Sequence, residues 1–274
     1  MRPPRTADLR PPSAPARISA VSSVERDEIL AWCDQLLGVG EFDDYGPNGI
    51  QVPGRSEVAK IVTGVSAHLE LIERAITAGA DMLVVHHGLF WEFLPRALSA
   101  QMAARLRVAL GADLTIAGYH LPLDAHPEIG NNALLCERLG LDCNARFAEA
   151  RRRAIGVIGT APEPLAVAEL TARVSTLLGR EPLLLGAGPE QVSTMGVVSG
   201  AGASYIHEAV ALGLDALLTG EPAEHVTADA REGGIHFYAA GHHATETLGI
   251  RRLGELAAER FGIEHEFIDV PNPI

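Results

Sequence analysis

From Lys60 onward the chain repeats one arrangement: a short, almost wholly apolar run, a longer segment with helical spacing, then another apolar run. "KIVTGVS" reads as a strand, 68–79 as a helix, 82–85 as a strand, about 99–110 as a helix and "DLTIAGYH" as a strand. A helix near 130–139 follows, then strand "AIGVIGT", a helix from about 164 and strand "STMGVVSG". The remainder reads as a helix near 204–213, strand "ALLTG", a helix over 222–232, strand "IHFYAAG", a helix from about 243 and a last strand "HEFIDV". Strands that are apolar along their whole length are buried on both faces, and parallel neighbours need helical crossovers. The pattern therefore predicts an α/β fold with mostly parallel sheets.

The alternation also repeats at long range. "GVSAHLELIERAITAGADMLVVHHG" (64–88) is echoed by "GVVSGAGASYIHEAVALGLDALLTGE" (196–221), with Gly79 matching Gly213, Asp81 matching Asp215 and His87 matching Glu221. The next strands echo too: "GYHLPLD" places His120 four residues before Asp124, and "GHHATE" places His242 four before Glu246. Two similar α/β lobes follow, lobe one about 23–145 and lobe two about 150–274, within a single domain over 23–274 and with the site shared between them. Ahead of them "SVERDEILAWCDQLLG" has helical periodicity over 23–38 with Cys33 on its apolar face, and "FDDYGPNGIQVPG" is a structured loop. Residues 1–22, rich in Pro, Arg, Ala and Ser, have the composition of a flexible tail.

Charge and composition exclude several roles. A formal net charge of −13 argues against nucleic acid as the main partner. The run Arg151-Arg152-Arg153 reads as a solvated loop before a strand. No apolar run approaches the roughly 20 residues of a spanning helix. Three cysteines, Cys33, Cys136 and Cys143, without CxxC spacing fit core thiols in a reducing, cytoplasmic setting. GxSxG, P-loop and HExxH signatures are absent. The turn "GAGAS" (200–204) suits either an oxyanion held by backbone amides or close strand-to-helix packing.

Chemistry is expected where the strands end. Ligands of α/β sheets collect outside the carboxyl ends of strands, and "VVHHG", "AGYHLPLDAH" and "AAGHHATE" concentrate histidines and carboxylates there. Adjacent His86 and His87 point apart along a strand but serve neighbouring ions once the chain turns. His242 and Glu246 share a face of one helical turn, from which the carboxylate bridges two cations, and Asp124 adds an anionic oxygen. The set His86, His87, Asp124, His242 and Glu246 offers nitrogen and oxygen but no thiolate, which suits Zn, Fe, Mn, Co or Ni in a centre of two divalent metal ions per chain. His120 is a third imidazole ligand, a group that orients a ligand, or a proton carrier in catalysis. Glu221, at the echo position of His87, enters the same region as an orienting or substrate-contacting group.

"YGPNGIQV", "GADMLVVHHG", "GYHLPLDAH", "GLDALLTGE" and "GHHATE", in this order from about Asp43 to Glu246, resemble the Nif-three-like family, whose members are catalogued as GTP cyclohydrolase 1 type 2 homologues. The resemblance implies a two-lobed α/β fold, dinuclear ligands at His86, His87, Asp124, His242 and Glu246, and a toroidal homohexamer of the short form without an inserted domain. It also implies opening of the guanine ring of GTP. Two readings follow. One is a metal-dependent hydrolase whose small-molecule substrate is a cyclic amide, a purine nucleotide or a phosphoester. The other is a non-catalytic metal-binding regulatory or scaffold protein.

Overall fold

The structure, a computed structural model, describes residues 23–274; the expected tail, 1–22, lies outside the described residues. After β1 (Val24–Glu25), α1 (Arg26–Leu37) buries Ile29, Leu30, Cys33 and Leu37 at helical spacing. Then come β2 (Gly49–Val52), β3 (Glu57–Val58), β4 (Lys60–Ser66), α2 (Leu69–Thr77), β5 (Met82–His87), α3 (Ala100–Gly111) and β6 (Thr115–Gly118). The short α4 (Leu121–Asp124) and α5 (Asn131–Arg138) lead to β7 (Asp142–Ala150), β8 (Arg153–Ala166) and α6 (Val167–Leu178). The chain continues through β9 (Leu183–Leu185), β10 (Gln191–Val198), α7 (Ile206–Ala211), β11 (Ala216–Thr219), α8 (Val226–Gly233) and β12 (His236–Ala239). It closes with α9 (His242–Thr245), α10 (Thr247–Phe261) and β13 (Glu264–Phe267).

Two sheets form the frame. The first runs β13-β4-β5-β6-β2 and the second β7-β8-β10-β11-β12-β9. The first is parallel except for β2; the second is parallel across β10-β11-β12, and β7, β8 and β9 join it antiparallel. The antiparallel pair β7–β8 follows from its connection, a two-residue turn at Arg151 and Arg152, which has no room for a crossover. Both arginines take positive φ, 48° and 65°, so the supposed loop is the tip of a hairpin. Each sheet is covered on both faces, which explains the continuous apolar runs: Val62, Leu83 and Ile116 face α2 and α3, whereas Ile61, Met82 and Val84 face α1 and α10. Helix α10 packs on β4 and on α5, and α5 packs on β8 and β10, so these two helices lie between the sheets. The expected division near 145–150 does not describe the sheets. β13 returns from the C-terminal end to pair with β4, and β7 already belongs to the second sheet.

The sequence echo is structural. β4-α2-β5-α3-β6 and β10-α7-β11-α8-β12 are each three parallel strands joined by helical crossovers. The matched aspartates do the same work. Asp81 Oδ2 accepts the Ala59 and Lys60 amides at 2.9 and 3.0 Å, and Asp215 Oδ2 accepts the Ser193 and Thr194 amides at 2.8 and 2.9 Å. Each ties the strand that it opens to the beginning of the neighbouring strand. Asp215→Ala leaves two half-buried amides without their carboxylate, a loss of about 3 kcal/mol. Thermal unfolding should show a melting temperature lower by roughly 6–12 °C; a shift within 2 °C would mean that solvent replaces the carboxylate.

Candidate metal centre

The carboxyl ends of both parallel strand sets meet at one place. β5 ends in His86 and His87, the chain after β6 gives His120 and α4 gives Asp124, and the turn after β12 gives His242 on α9 and Glu246 at its end. Glu246 is central: Oε1 lies 3.2 Å from His242 Nε2 and 3.6 Å from His86 Nε2, and Oε2 lies 3.3 Å from His87 Nε2. Asp124 Oδ2 lies 3.5 Å from His86 Nε2. Ligand atoms fall within 4.8 Å of one another in two triads that share Glu246: His86, Asp124 and Glu246, and His87, His242 and Glu246. His86, His87 and His120 form a third such group. All five residues selected as ligands thus come together, with His120 beside them. The adjacent histidines enter different carboxylate triads.

Every imidazole of the cluster is anchored at Nδ1, which leaves Nε2 for the centre. His86 Nδ1–H donates to the Tyr119 carbonyl at 2.9 Å, and His87 Nδ1 meets the Ser66 hydroxyl at 3.0 Å. His242 Nδ1–H donates to Glu221, and His120 Nδ1–H donates to Asp44 at 2.8 Å. Such outer partners fix the ring and the tautomer of a metal-binding histidine. Asp124 is held in the same way, its Oδ1 accepting from Asn131 Nδ2 at 2.9 Å and Ser199 Oγ at 3.0 Å, so that Oδ2 remains for the centre. Glu221 is therefore the orienting group for His242. His243 turns away to Asp269.

Among the described residues, two buried polar side-chain atoms have no hydrogen-bond partner, His86 Nε2 and Glu246 Oε2. Such orphans cost free energy unless something pairs with them, and these two are aimed into the centre. The electrostatics agree. Burial opposes a charge on His86, yet the Asp124 and Glu246 carboxylates hold its pKa up at about 9; His242, likewise opposed by burial, is raised to about 9 by Glu246 and Glu221. His87 is pushed down to about 3, chiefly by burial and with the neighbouring imidazoles adding to it. Burial would raise Glu246, but the surrounding histidines hold it well below the usual carboxylate range. The carboxylates make a place that attracts cations. The donor set fits hard-to-borderline divalent metal ions.

Two glycines keep this space open. A Cβ on Gly88 would run into the Gln51 side chain, whose Oε1 accepts the Leu89 amide at 2.6 Å and so fixes the turn after the paired histidines. Gly200, at φ 65°, comes so close that a Cβ would collide with Glu246 Oε1 and sit 3.1 Å from His242 Nε2. Gly200 thus packs closely against the site. Gly200→Ala adds left-handed strain of about 1–2 kcal/mol and displaces the shared carboxylate. Elemental analysis after loading and dialysis should show metal lost, in a protein that remains folded by circular dichroism; full metal content would show that Glu246 can move aside.

Several residues of the site were not apparent as functional in the sequence. Asp44 accepts from His120 Nδ1, from Asn48 and from the Tyr45 and Leu121 amides, so the "DDYGPNG" loop holds His120. Burial works against its charge, but the His120 contact and the other donors keep the Asp44 carboxyl low. Ser66, Asn131 and Ser199 are likewise outer partners. Their only signal is their position beside a strand end. A cavity of about 490 Å3 opens onto His87, His120, Asp124, His242 and Glu246.

Together the frame and the cluster define a class: a two-lobed α/β protein whose lobes meet at a histidine–carboxylate centre suited to divalent metal ions. The chain belongs to the Duf34/NIF3 (NGG1p interacting factor 3) family, whose profile matches residues 24–273. It is 45% identical over 251 residues to a Vibrio cholerae protein named "GTP cyclohydrolase 1 type 2 homolog", covering 90% of this chain and 98% of that one. A Pseudomonas aeruginosa protein of the same name is 43% identical over 240 residues, covering 88% and 95%. The solved structure of "protein ybgI, unknown function" superposes with a TM-score of 0.87 at 41% identity, covering 92% of this chain and 100% of that one. Among the described residues no helix is long and apolar enough to cross a membrane.

Proposed function

We propose that the protein is a metal-dependent hydrolase that holds two divalent ions per chain, one at His86, Asp124 and Glu246 and one at His87, His242 and Glu246. The observation that carries this reading is the pair of buried, partnerless ligand atoms, His86 Nε2 in one triad and Glu246 Oε2, which faces His87, in the other. Bound there, Zn, Fe, Mn, Co or Ni supplies Lewis acidity and activates water near neutral pH. The chain's own residues do the rest. His120, held at Nδ1 by Asp44, has its second nitrogen for carrying a proton to or from the reacting group. Glu221 and Ser66 keep His242 and His87 in register. The substrate is a cyclic amide, a purine nucleotide or a phosphoester; the names of the relatives favour opening of a purine ring.

The reading includes self-association in the cytoplasm as a homohexamer. Phe93, which lines the cavity, and Leu94 and Leu98 close to it in sequence are 70%, 42% and 61% exposed, apolar surface of the kind that a second copy would cover. The test is elemental analysis of metal-replete protein paired with a metal-dependent turnover screen over GTP, cyclic amides and phosphoesters. Two ions per chain and turnover that chelation abolishes support the reading. Two ions without turnover on any class support the binding or scaffold role instead, and an absence of metal removes both.

A further inference from the structure

We propose a further metal site, separate from the histidine–carboxylate centre, on the outer face of α7 and α8, where His207, His225 and Asp229 hold one exchangeable borderline divalent cation such as zinc or nickel. None of the three residues stands at the carboxyl end of a parallel strand, and none belongs to the centre described above. His207 lies in the first turn of α7; His225 immediately precedes α8 with helical backbone angles, and Asp229 follows it by four residues. That spacing puts His225 and Asp229 on one face of a helical turn, the offset by which a helix presents two ligands to one zinc ion.

The three side chains already converge. Asp229 Oδ2 accepts from His225 Nδ1–H at 2.6 Å and stands 3.5 Å from His207 Nε2. The two imidazoles lie 14° from parallel with ring centres 6.0 Å apart, so that both bring a nitrogen to the same carboxylate oxygen. Donor atoms of all three residues fall within 4.8 Å of one another. Donors around one zinc ion, each at about 2.0–2.2 Å from it, stand roughly 3–3.5 Å apart. The closer pair therefore opens slightly, and the ion replaces the proton between His225 and Asp229.

The helices hold this arrangement from their other side. Ile206, next to His207, and Val226, next to His225, are buried with Ala209 and Ala230 in one apolar cluster. Glu208 is not a competing ligand, since it accepts the Ala148 amide at 3.2 Å. Two imidazole nitrogens and one carboxylate oxygen suit zinc, nickel or copper(II), whereas calcium and magnesium take oxygen ligands. Three protein ligands leave a position open to water, and His207 is 68% exposed. The ion is thus held at micromolar free metal and leaves on dialysis into metal-free buffer, after which metal counts report the buried centre alone. While bound, it ties together the two crossover helices that flank β11.

Titration calorimetry of the zinc-loaded, dialysed chain with further zinc tests this. The parent should take up one additional zinc per chain with micromolar affinity, and excess magnesium should not prevent it. His207→Ala and His225→Ala should each weaken that uptake tenfold or more. Both variants should keep the metal content of the parent after dialysis and, without added zinc, its melting temperature, because the side chains lie on the outer face. The inference is overturned if either variant takes up the added zinc as the parent does, if magnesium displaces it, or if the affinity is only millimolar. Such a failure leaves the hydrolase reading untouched, because the variants share an intact centre. Metal missing from the parent after loading and dialysis removes the hydrolase reading, while the difference between parent and variants still decides the outer site.

Discussion

In the proposed two-ion centre, Glu246→Gln should empty both positions at once. The carboxylate is the one group common to the two triads, with Oε1 3.2 Å from His242 Nε2 and Oε2 3.3 Å from His87 Nε2. Glutamine keeps the shape but replaces one anionic oxygen by an N–H2 that donates and cannot ligate. It also removes a negative charge that lies 2% exposed among imidazoles, where screening by water is weak. Losing a mere outer hydrogen-bond partner lowers metal affinity about 10–100-fold, so loss of a shared ligand should exceed that at each position. Elemental analysis after dialysis should find metal absent, and turnover on any substrate that the screen identifies should disappear with it. Asp124→Asn and His87→Ala provide the contrast, since each damages a single triad and should leave one ion. If Glu246→Gln retained one ion, the carboxylate would belong to one position only, and the bridging assignment would be wrong.

The candidate site was legible as a cluster because its residues stand at strand ends, where the sequence changes abruptly from apolar to imidazole and carboxylate. "VVHHG" and "GHHATE" cannot be satisfied as ordinary core, and the four-residue spacings of His120–Asp124 and His242–Glu246 place pairs on one turn. What supports those residues was not legible. Asp44 is 76 positions from His120, Asn131 is 118 from Gly249 and Ser199 is 75 from Asp124; such partners exist only after the chain has folded. The frame shows the same division. The apolar runs from β4 to β6 and from β10 to β12 announced buried parallel strands, because burial on both faces leaves a continuous signature. β7 did not, because it is mostly exposed over Asp142–Arg146 and its register shifts between Cys143 and Ala145. Its turn is a pair of arginines at positive φ in place of the Asn-Gly that marks such hairpins. The placement of β13 beside β4 is a long-range pairing that no local pattern records.

The fold and the centre are joined through Asn132, and its replacement by leucine should damage both. The side chain is fully buried at the start of α5, between the sheets. Its Oδ1 accepts the Ser199 amide at 2.6 Å; its Nδ2 donates to the Ile155 carbonyl at 2.9 Å and, at 3.4 Å, to the Asp124 carbonyl. Leucine has the same branched shape and is bulkier, so no cavity forms, but it strands the Ser199 N–H and the Ile155 C=O away from water. Each stranded group costs about 1–3 kcal/mol, so a loss of roughly 4 kcal/mol and a melting temperature lower by about 8–16 °C follow for a domain of this size. The same change frees Ser199, whose hydroxyl holds Asp124 Oδ1 at 3.0 Å. Metal affinity at the Asp124 position should then fall about 10–100-fold while the His87 and His242 position keeps its ion. Ser199→Ala is the discriminating partner: it removes only the hydroxyl, so it should weaken the same position with a far smaller loss of stability. Equal melting losses in both variants, or an Asn132→Leu protein that binds both ions as tightly as its parent, would show that the Asn132 contacts do not support the centre.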